Sequence, residues 1–199
     1  MGKDKILFSA ELCPANVYRR DYLLQKFNKW LNLSSSDLLE IGIGNGRFGK
    51  LLANYFNRYY GIDPDLEYVG LARENIPTGA KVFYEVGSAE NIPFERDFDI
   101  VFYGLSWHVI KHKKALQETM RVLSKNGLVS ILEPSIHTKN WASHVLKQGH
   151  PKFDERLYKR KISQLRKAEE YLKNQDVLKI VEHEYDPETT LNIWILKPK

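Results

Sequence analysis

The sequence has little cysteine and no long apolar run. Among its 199 residues Cys13 is the single cysteine, so an internal disulfide and a spaced set of metal-binding cysteines are both excluded. The longest uncharged apolar-rich segment, 100–110, is well short of the roughly 18 residues of a membrane-spanning helix. The apolar stretch after Lys5 is too short for a secretory signal, and Ile6 stands where myristoylation requires serine or threonine. These absences predict a cytoplasmic protein in a reducing compartment, without a membrane span.

The chain does contain enough apolar material for a folded core. Hydrophobic residues make up 43% and charged residues 28% of it, a balance that excludes a disordered chain. The length suits one domain, and no internal repeat or Gly/Ser-rich linker divides it. We therefore expect a single domain over 1–199, with an N-terminal helical cap over 1–36 and a helical insertion over 135–175.

Short apolar segments alternate with longer amphipathic ones, the pattern of βαβ units. After an entry helix at 16–31, strands are predicted at 38–43, 59–63, 82–86, 98–105 and 128–132, and helices at 48–56, 64–75 and 112–123. Pro64 is expected at the first position of its helix, and Asn126-Gly127 at the end of the last one. Strands at 180–185 and 191–196 predict a closing antiparallel hairpin. The fold class is α/β: a Rossmann-like doubly wound sheet, mostly parallel with a C-terminal antiparallel hairpin strand, and with helices on both faces.

A glycine-rich turn joins the first predicted strand to its helix. Gly42, Gly44 and Gly46 recur at every second position, which is typical of backbone that approaches a ligand closely. Because one glycine would suffice to turn the chain, the repetition favours a small-molecule site. With Gly49 the turn also satisfies G-x-G-x-x-G, and Asp63 lies where a nicotinamide enzyme has its ribose-binding acid. The spacing alone leaves the ligand open.

Glu40 discriminates between the ligands. A central parallel strand is covered on both faces, so an unpaired carboxylate there is costly and favours a cationic partner. Beside a dinucleotide pyrophosphate a second negative charge would repel the ligand. S-adenosylmethionine has no phosphate and carries an ammonium and a sulfonium, so Glu40 can attract its methionyl end while Asp63 accepts hydrogen bonds from ribose hydroxyls. The alternatives are that Glu40 pairs with an arginine or lysine, and that Asp63 caps the helix before Pro64.

Five segments then follow the motif order of a known family. They are Glu40-Ile41-Gly42-Ile43-Gly44-Asn45-Gly46, Tyr60-Gly61-Ile62-Asp63, Ser88-Ala89-Glu90-Asn91-Ile92-Pro93-Phe94, Phe98-Asp99-Ile100-Val101 and Arg121-Val122-Leu123-Ser124-Lys125-Asn126-Gly127. In them the chain resembles the class I S-adenosylmethionine-dependent methyltransferases, especially small cytosolic ones acting on small molecules. Ser88 departs from the acid usual in the adenine loop, and Lys125-Asn126-Gly127 replaces a proline-glycine-glycine turn.

The resemblance implies S-adenosylmethionine as cofactor and S-adenosylhomocysteine as product. The cofactor contacts expected are Glu40, Gly42, Ile43, Gly44, Gly46, Asp63, Pro64, Ser88, Ala89, Glu90, Tyr103 and Tyr18, the last from the N-terminal helix. Trp107, Trp141 and Tyr22 are candidates for an aromatic wall facing the acceptor, with ordinary core packing as the alternative.

His108 is the candidate for the chemistry, because it follows the fourth strand at the rim where open α/β sheets carry their sites. An imidazole can take the proton that a hydroxyl or amine acceptor loses. The alternative is a packing or positioning role, since alignment alone can supply most of the catalysis of methyl transfer. His108 and His112 are spaced i, i+4, but no acid or cysteine follows at a supporting interval, so no metal is expected.

The segment 152–173 carries most of the net charge of +5, with eight basic residues against four acidic ones. An apolar stripe along it, Tyr158, Ile162, Leu165 and Leu172, predicts an amphipathic helix. Its basic face is either solvated or a surface for an acidic acceptor, RNA or a membrane. The lack of interleaved aromatic residues argues against nucleic acid.

The function predicted is transfer of a methyl group from S-adenosylmethionine to an unidentified small-molecule acceptor by in-line displacement. A non-catalytic S-adenosylmethionine-binding or regulatory module is the first alternative. An NAD(P)-dependent oxidoreductase is the second, which Glu40 and the short chain disfavour.

Overall fold

The computed structural model describes residues 16–135, 155–186 and 191–199. Their strands form one sheet of order β3-β2-β1-β4-β5-β7-β6. Neighbouring strands are parallel from β3 to β5, while β7 is antiparallel to both β5 and β6. The strands are β1 (Asp37–Ile41), β2 (Arg58–Asp63), β3 (Val82–Val86), β4 (Phe98–Gly104), β5 (Leu123–Pro134), β6 (Leu178–Asp186) and β7 (Leu191–Pro198).

Five α-helices of the described residues cover the two faces of the sheet, because successive residues of each central strand point to opposite sides. Leu38 of β1 packs in a core with the first three helices, and Leu39 packs in a second core with the last two. This arrangement confirms the predicted fold class. The helices are α1 (Asn16–Asn28), α2 (Arg47–Leu52), α3 (Leu66–Glu74), α4 (His112–Val122) and α5 (Glu155–Asn174).

Two predicted helix ends were wrong. Helix α3 begins at Leu66 rather than at Pro64, because the Asp65 carboxylate accepts a hydrogen bond from the Glu67 amide at 3.0 Å and so caps the helix. Helix α4 ends at Val122, and Leu123 pairs directly with Phe98 in the sheet. The turn Asn126-Gly127 therefore lies in an irregularity within β5, not at the end of the helix. Leu123 is buried beside Phe98, and this packing extends β5 to Leu123 although Asn126-Gly127 favours a turn locally.

Two other helix ends differ by a few residues. The entry helix ends at Asn28, and a 3-10 turn at Leu33–Ser35 precedes β1. Helix α2 gives way to a second 3-10 turn at Ala53–Tyr55. The hairpin prediction is confirmed by the antiparallel pairing of β6 with β7, and its turn lies outside the described residues.

Helix α5 lies in the predicted insertion and packs on the sheet face that also carries α4. Leu165, Ala168 and Leu172 are buried, which confirms two positions of the predicted stripe. The Trp107 indole donates a hydrogen bond to the Ala168 carbonyl at 3.3 Å, so α5 is attached to the segment that follows β4. Within the described parts of the chain, no helix is both long and apolar enough to cross a membrane.

Candidate functional site

A cavity of about 470 Å³ opens at the carboxyl ends of β1, β2 and β4. It lies where the strand order reverses, the position at which open α/β sheets bind their ligands. The charged side chains among its described lining residues are three acids and one base: Glu40, Asp63, Glu90 and Arg47. Its wall therefore favours a ligand with positive charge.

The glycine turn after β1 shapes one wall. Gly42 has φ +78°, and a Cβ there would lie 2.7 Å from the Ser106 Cβ. Gly44 has φ +52°, and a Cβ there would meet no atom of the described residues within 4 Å. Gly42 thus lets two segments of the protein meet, whereas Gly44 leaves open space beside the cavity. Ile43 also lines this wall.

Glu40 is fully buried yet borders the cavity. The Tyr59 hydroxyl donates a 2.8 Å hydrogen bond to Oε2, while Oε1 has no hydrogen-bond partner in the part of the chain that the structure describes. Burial raises the pKa of Glu40 to about 8, against the lowering effects of Tyr59 and of the Arg47 charge. Among the described residues Glu40 forms no salt bridge, so its partner is a tyrosine rather than an arginine or lysine.

Asp63, at the end of β2, organises two turns at once. Its Oδ2 accepts a hydrogen bond from the Gly44 amide at 2.9 Å, and its Oδ1 accepts one from the Asp65 amide at 3.0 Å. Burial raises the pKa of Asp63, while these two backbone hydrogen bonds lower it. The sequence left open whether Asp63 caps the helix that follows it. Asp65 caps α3, and Asp63 borders the cavity instead.

The predicted adenine loop also reaches the cavity, which Pro64, Ser88, Ala89 and Glu90 line. Gly46 is not among the lining residues. A Cβ at Gly46 would lie 2.9 Å from the Ala72 Cα, so this glycine lets α2 pack closely on α3.

Two predicted aromatic contacts lie elsewhere. Tyr103 is buried on the face that carries α4, where its hydroxyl shares a 2.6 Å hydrogen bond with Thr119. Trp107 is also buried there and packs edge-to-face on Tyr103 at 4.9 Å between ring centroids. Neither residue is among those that line the cavity. For Trp107 this corresponds to the alternative of ordinary core packing.

The remaining predicted aromatic residues contribute less to the described site. Tyr22 is half-buried on α1, packed against the core, and is not among the lining residues. Trp141 and the side chain of Tyr18 lie outside the described residues.

His108 lies in a 3-10 turn, Trp107–Val109, after β4. Its neighbours Ser106 and Val109 line the cavity, while its own ring is buried against Glu133, with Nδ1 2.8 Å from Oε2. His112 opens α4 instead, with Nε2 2.9 Å from the Trp107 carbonyl oxygen. Among the described residues, no three histidine, cysteine, aspartate or glutamate side chains are placed to hold a metal.

Sequence reasoning missed several residues of the site. Glu133 ends a strand 25 positions after His108, and only the pairing of β4 with β5 brings the two together. Leu105 borders the cavity in a left-handed conformation, φ 65°, which its residue type does not signal. Arg47 was detectable, since it is the basic residue directly after the glycine turn.

The sheet order, the glycine turn after β1 and the carboxylate at the end of β2 define a Rossmann-like protein with a ligand site at the switch point. A family model described as a methyltransferase domain matches residues 39–131, the part of the chain that forms this site. This part of the chain is therefore identified as a methyltransferase domain.

The chain is also similar in sequence to individual proteins. The ubiquinone/menaquinone biosynthesis C-methyltransferase UbiE of Campylobacter jejuni is 40% identical over 76 residues, which span 37% of this chain and 31% of UbiE. The uncharacterized protein MJ1252 of Methanocaldococcus jannaschii is 33% identical over 162 residues, 79% of this chain and 61% of that protein. The chain thus spans about a third of the UbiE length.

The fold recurs in the plantazolicin methyltransferase BpumL, solved in complex with SAH. The two superpose with a TM-score of 0.65 over 99% of this chain and 85% of BpumL, at 13% identity. At that identity the likeness concerns the fold.

Proposed function

We propose that this protein transfers a methyl group from S-adenosylmethionine to a small-molecule acceptor. The observation that carries the proposal is the environment of Glu40: this buried acid borders the cavity, and its Oε1 has no hydrogen-bond partner among the described residues. An unsatisfied buried polar atom costs stability. A ligand that donates from a cationic ammonium would satisfy it, and the cofactor of this family has such a group.

The other lining residues fit the rest of the cofactor. The cavity of about 470 Å³ lies within the range of roughly 300–1,000 Å³ typical of small-molecule sites. Asp63 is proposed to accept hydrogen bonds from the ribose hydroxyls. Pro64, Ser88 and Ala89 are proposed to enclose the adenine. Gly44 supplies backbone without a side chain beside the ligand.

When bound, S-adenosylmethionine supplies a methyl group on a sulfonium, which a nucleophile takes while the electron pair of the broken carbon–sulfur bond stays on sulfur. The protein's part is first to align and enclose the reactants, which can be worth up to about 7–11 kcal/mol. His108 is proposed to accept the proton that an acceptor hydroxyl or amine loses, since its neighbours Ser106 and Val109 border the cavity.

The proposed acceptor is a small molecule, with the nucleophilic atom left to experiment. The name of UbiE describes a C-methyltransferase of ubiquinone and menaquinone biosynthesis, which makes a reduced quinone a reasonable first probe. A suitable panel contains 1,4-naphthohydroquinone, a phenol, a primary amine and a thiol, each offered with radiolabelled S-adenosylmethionine.

Calorimetric titration with S-adenosylhomocysteine tests the cofactor assignment. We expect saturable binding by the wild type, binding weakened about 10- to 100-fold in Glu40→Gln because a charged hydrogen bond is lost, and unchanged binding in Glu85→Gln. Glu85 is an exposed strand residue outside the cavity and serves as matched control. Absence of binding at millimolar ligand, with the protein folded, would refute the proposal.

Two further titrations separate the alternatives. An oxidoreductase would bind NADH, which the acids of the cavity should repel, so a fluorescence titration with NADH is expected to show no binding. A non-catalytic module would bind S-adenosylhomocysteine yet transfer label to no acceptor, whereas the proposed enzyme labels at least one acceptor of an extended panel.

A further inference from the structure

We infer that Tyr59 is a positioning residue of the cofactor site: its hydroxyl binds one oxygen of the Glu40 carboxylate and thereby presents the other oxygen to the ligand. The inference rests on the proposed function, in which Glu40 pairs with the ammonium group of S-adenosylmethionine. Tyr59 is fully buried and is not among the described residues that line the cavity. It therefore acts on the ligand through Glu40, which does border the cavity.

Tyr59 reaches Glu40 from the neighbouring strand. In the pairing of β1 with β2, Tyr59 lies opposite Leu38, and Glu40 lies opposite Gly61. Because alternate residues of a strand share a face, the side chains of Tyr59 and Glu40 leave the sheet on the same side as diagonal neighbours. Gly61 has no side chain, and the Tyr59 hydroxyl reaches Glu40 Oε2 at 2.8 Å.

Packing holds the Tyr59 ring in place. The ring lies in the core between the sheet and the first three helices, edge-to-face with Phe56 at 6.2 Å between ring centroids. A Cβ at Gly49 of α2 would lie 3.4 Å from Tyr59 Cε1, so the helix approaches the ring closely at this glycine. A ring fixed in this way holds its hydroxyl at one point. The hydrogen bond then fixes Oε2 and orients the whole Glu40 carboxylate.

The same hydrogen bond favours the ionised form of Glu40. Burial raises the pKa of Tyr59 well above its usual range, so the hydroxyl keeps its proton and donates. Its hydrogen bond lowers the pKa of Glu40 against the larger effect of burial. Arg47 of α2 and Asp63 of β2 also act on Glu40, through their charges, while Phe102 lies opposite it on β4 and is uncharged. Tyr59 therefore both orients the acid and eases the ionisation that pairing with an ammonium requires.

Tyr84 provides a matched comparison. It lies opposite Gly61 on β3 and is buried in the same core as Tyr59. Burial and then the nearby charge of Glu40 raise the pKa of Tyr84, yet its hydroxyl has no hydrogen-bond partner among the described residues. Tyr84→Phe therefore removes a buried hydroxyl close to Glu40 without removing a hydrogen bond to it.

Tyr59→Phe tests the inference because it removes the hydroxyl and keeps the ring. The Glu40 carboxyl carbon of the full-length, ligand-free protein is titrated by ¹³C NMR and assigned as the signal lost in Glu40→Gln. Binding of S-adenosylhomocysteine is measured by calorimetry at about pH 7. Since a charged hydrogen bond is lost, Tyr59→Phe is expected to raise the midpoint of the Glu40 titration by about one pH unit and to weaken binding about tenfold. Tyr84→Phe is expected to leave both at their wild-type values.

A folded Tyr59→Phe variant with an unchanged midpoint or an unchanged affinity would overturn the inference, and so would a Tyr84→Phe variant that changes both equally. If Tyr59→Phe does not fold, the wild type decides. Its Tyr59 hydroxyl proton should be protected from exchange with water and should shift as Glu40 titrates, and a freely exchanging proton would overturn the inference.

The proposed function fails separately, because the carboxyl titration needs no ligand. Absence of S-adenosylhomocysteine binding by the wild type, together with a midpoint raised by Tyr59→Phe, would refute the proposed function. The orientation of Glu40 by Tyr59 would then stand without it.

Discussion

Tyr59 and Glu40 lie on adjacent parallel strands, and the Tyr59 hydroxyl donates a hydrogen bond to the fully buried Glu40 carboxylate. The hydrogen bond, 2.8 Å long, satisfies Oε2, whereas Oε1 has no partner among the described residues, and Glu40 borders the cavity. The arrangement holds the acid in place without pairing it with a basic side chain of the described residues. A ligand with an ammonium group can therefore donate a hydrogen bond to Oε1, which no described residue does.

Binding of S-adenosylhomocysteine should depend on pH through Glu40. Because burial raises the pKa of Glu40 to about 8, the acid is protonated in the ligand-free protein below that pH and has to release its proton to pair with the ammonium. Affinity should rise by up to about tenfold per pH unit between about pH 6 and 8, and then level off.

Calorimetry in two buffers of different ionisation enthalpy measures the released proton directly. Glu40→Gln should bind weakly with no such pH slope. The other charged groups that act on Glu40 are Arg47 and Asp63, so a slope that persisted in Glu40→Gln would assign the linkage to Asp63, whose pKa is also raised.

Glu40→Gln should also stabilise the ligand-free protein at alkaline pH. The pKa of Glu40 is about 8 in the folded chain, against an ordinary value of 4.5 for the unfolded chain. Between pH 4.5 and pH 8 the folded chain keeps a proton that the unfolded chain has lost. The contribution of Glu40 to the free energy of unfolding therefore falls as the pH rises through this range. Relative to Glu40→Gln, the free energy of unfolding of the wild type should fall by about 1 kcal/mol per pH unit in that window. Urea unfolding at several pH values checks the slope, and parallel curves would contradict it.

Some of the site follows from residue order alone. An acid within the apolar strand Leu38-Leu39-Glu40-Ile41 and glycines at every second position already indicate a cavity for a cationic ligand. Local chemistry of this kind is visible in sequence because the residues that act together are neighbours. The parallel strand segments were predictable for the same reason, since each is a short apolar run.

Other relationships depend on register between distant segments. Glu133 meets His108 because β5 lies beside β4, and Tyr59 meets Glu40 because β2 lies beside β1. The sequence allowed Trp107 either a role in the core or a contact with a ligand. The structure shows Trp107 buried, with its indole bonded to α5, which is the core role. Tertiary context also overrode the turn signal of Asn126-Gly127.

Asp63 and Asp65 make a matched pair for separating ligand binding from stability. Both Asp63 oxygens accept backbone hydrogen bonds, and Asn can supply only one acceptor, so Asp63→Asn should disturb the glycine turn and weaken S-adenosylhomocysteine binding about tenfold. Asp65→Ala removes the cap of α3 and should cost about 0.5–2 kcal/mol of stability with binding unchanged. Calorimetry and thermal unfolding of both variants test this; equal losses of affinity would contradict it.

Three glycines should respond differently to alanine. Gly42→Ala combines a left-handed φ with a contact to Ser106 and should cost about 2–4 kcal/mol. Gly44→Ala has the φ strain without a contact, so it should cost about 1–2 kcal/mol while its methyl group hinders the ligand. Gly70 is exposed on α3, and no atom of the described residues lies near its Cβ position. Gly70→Ala should therefore stabilise the folded protein by about 0.5–1 kcal/mol. Urea unfolding gives the three values, and a Gly44→Ala variant with full affinity would argue against a ligand at that wall.

Helix α5 should unfold together with the sheet, as the single-domain proposal requires. Leu172 is 2% exposed in the core that includes Trp107 and Leu39, so Leu172→Ala should cost about 2–5 kcal/mol. Lys167, exposed on the same helix, is the matched control, and its alanine variant should change stability by less than about 0.5 kcal/mol.

Unfolding is followed by helical circular dichroism and by tryptophan fluorescence, and the two transitions should coincide in the wild type and shift equally in Leu172→Ala. If α5 were an independent appendage, part of the helical signal would disappear in Leu172→Ala while the fluorescence transition stayed at its wild-type position. Because the Trp107 indole donates a hydrogen bond to the α5 backbone, release of the helix should also expose that ring. The fluorescence readout therefore reports directly on the packing of α5 against the turn that follows β4.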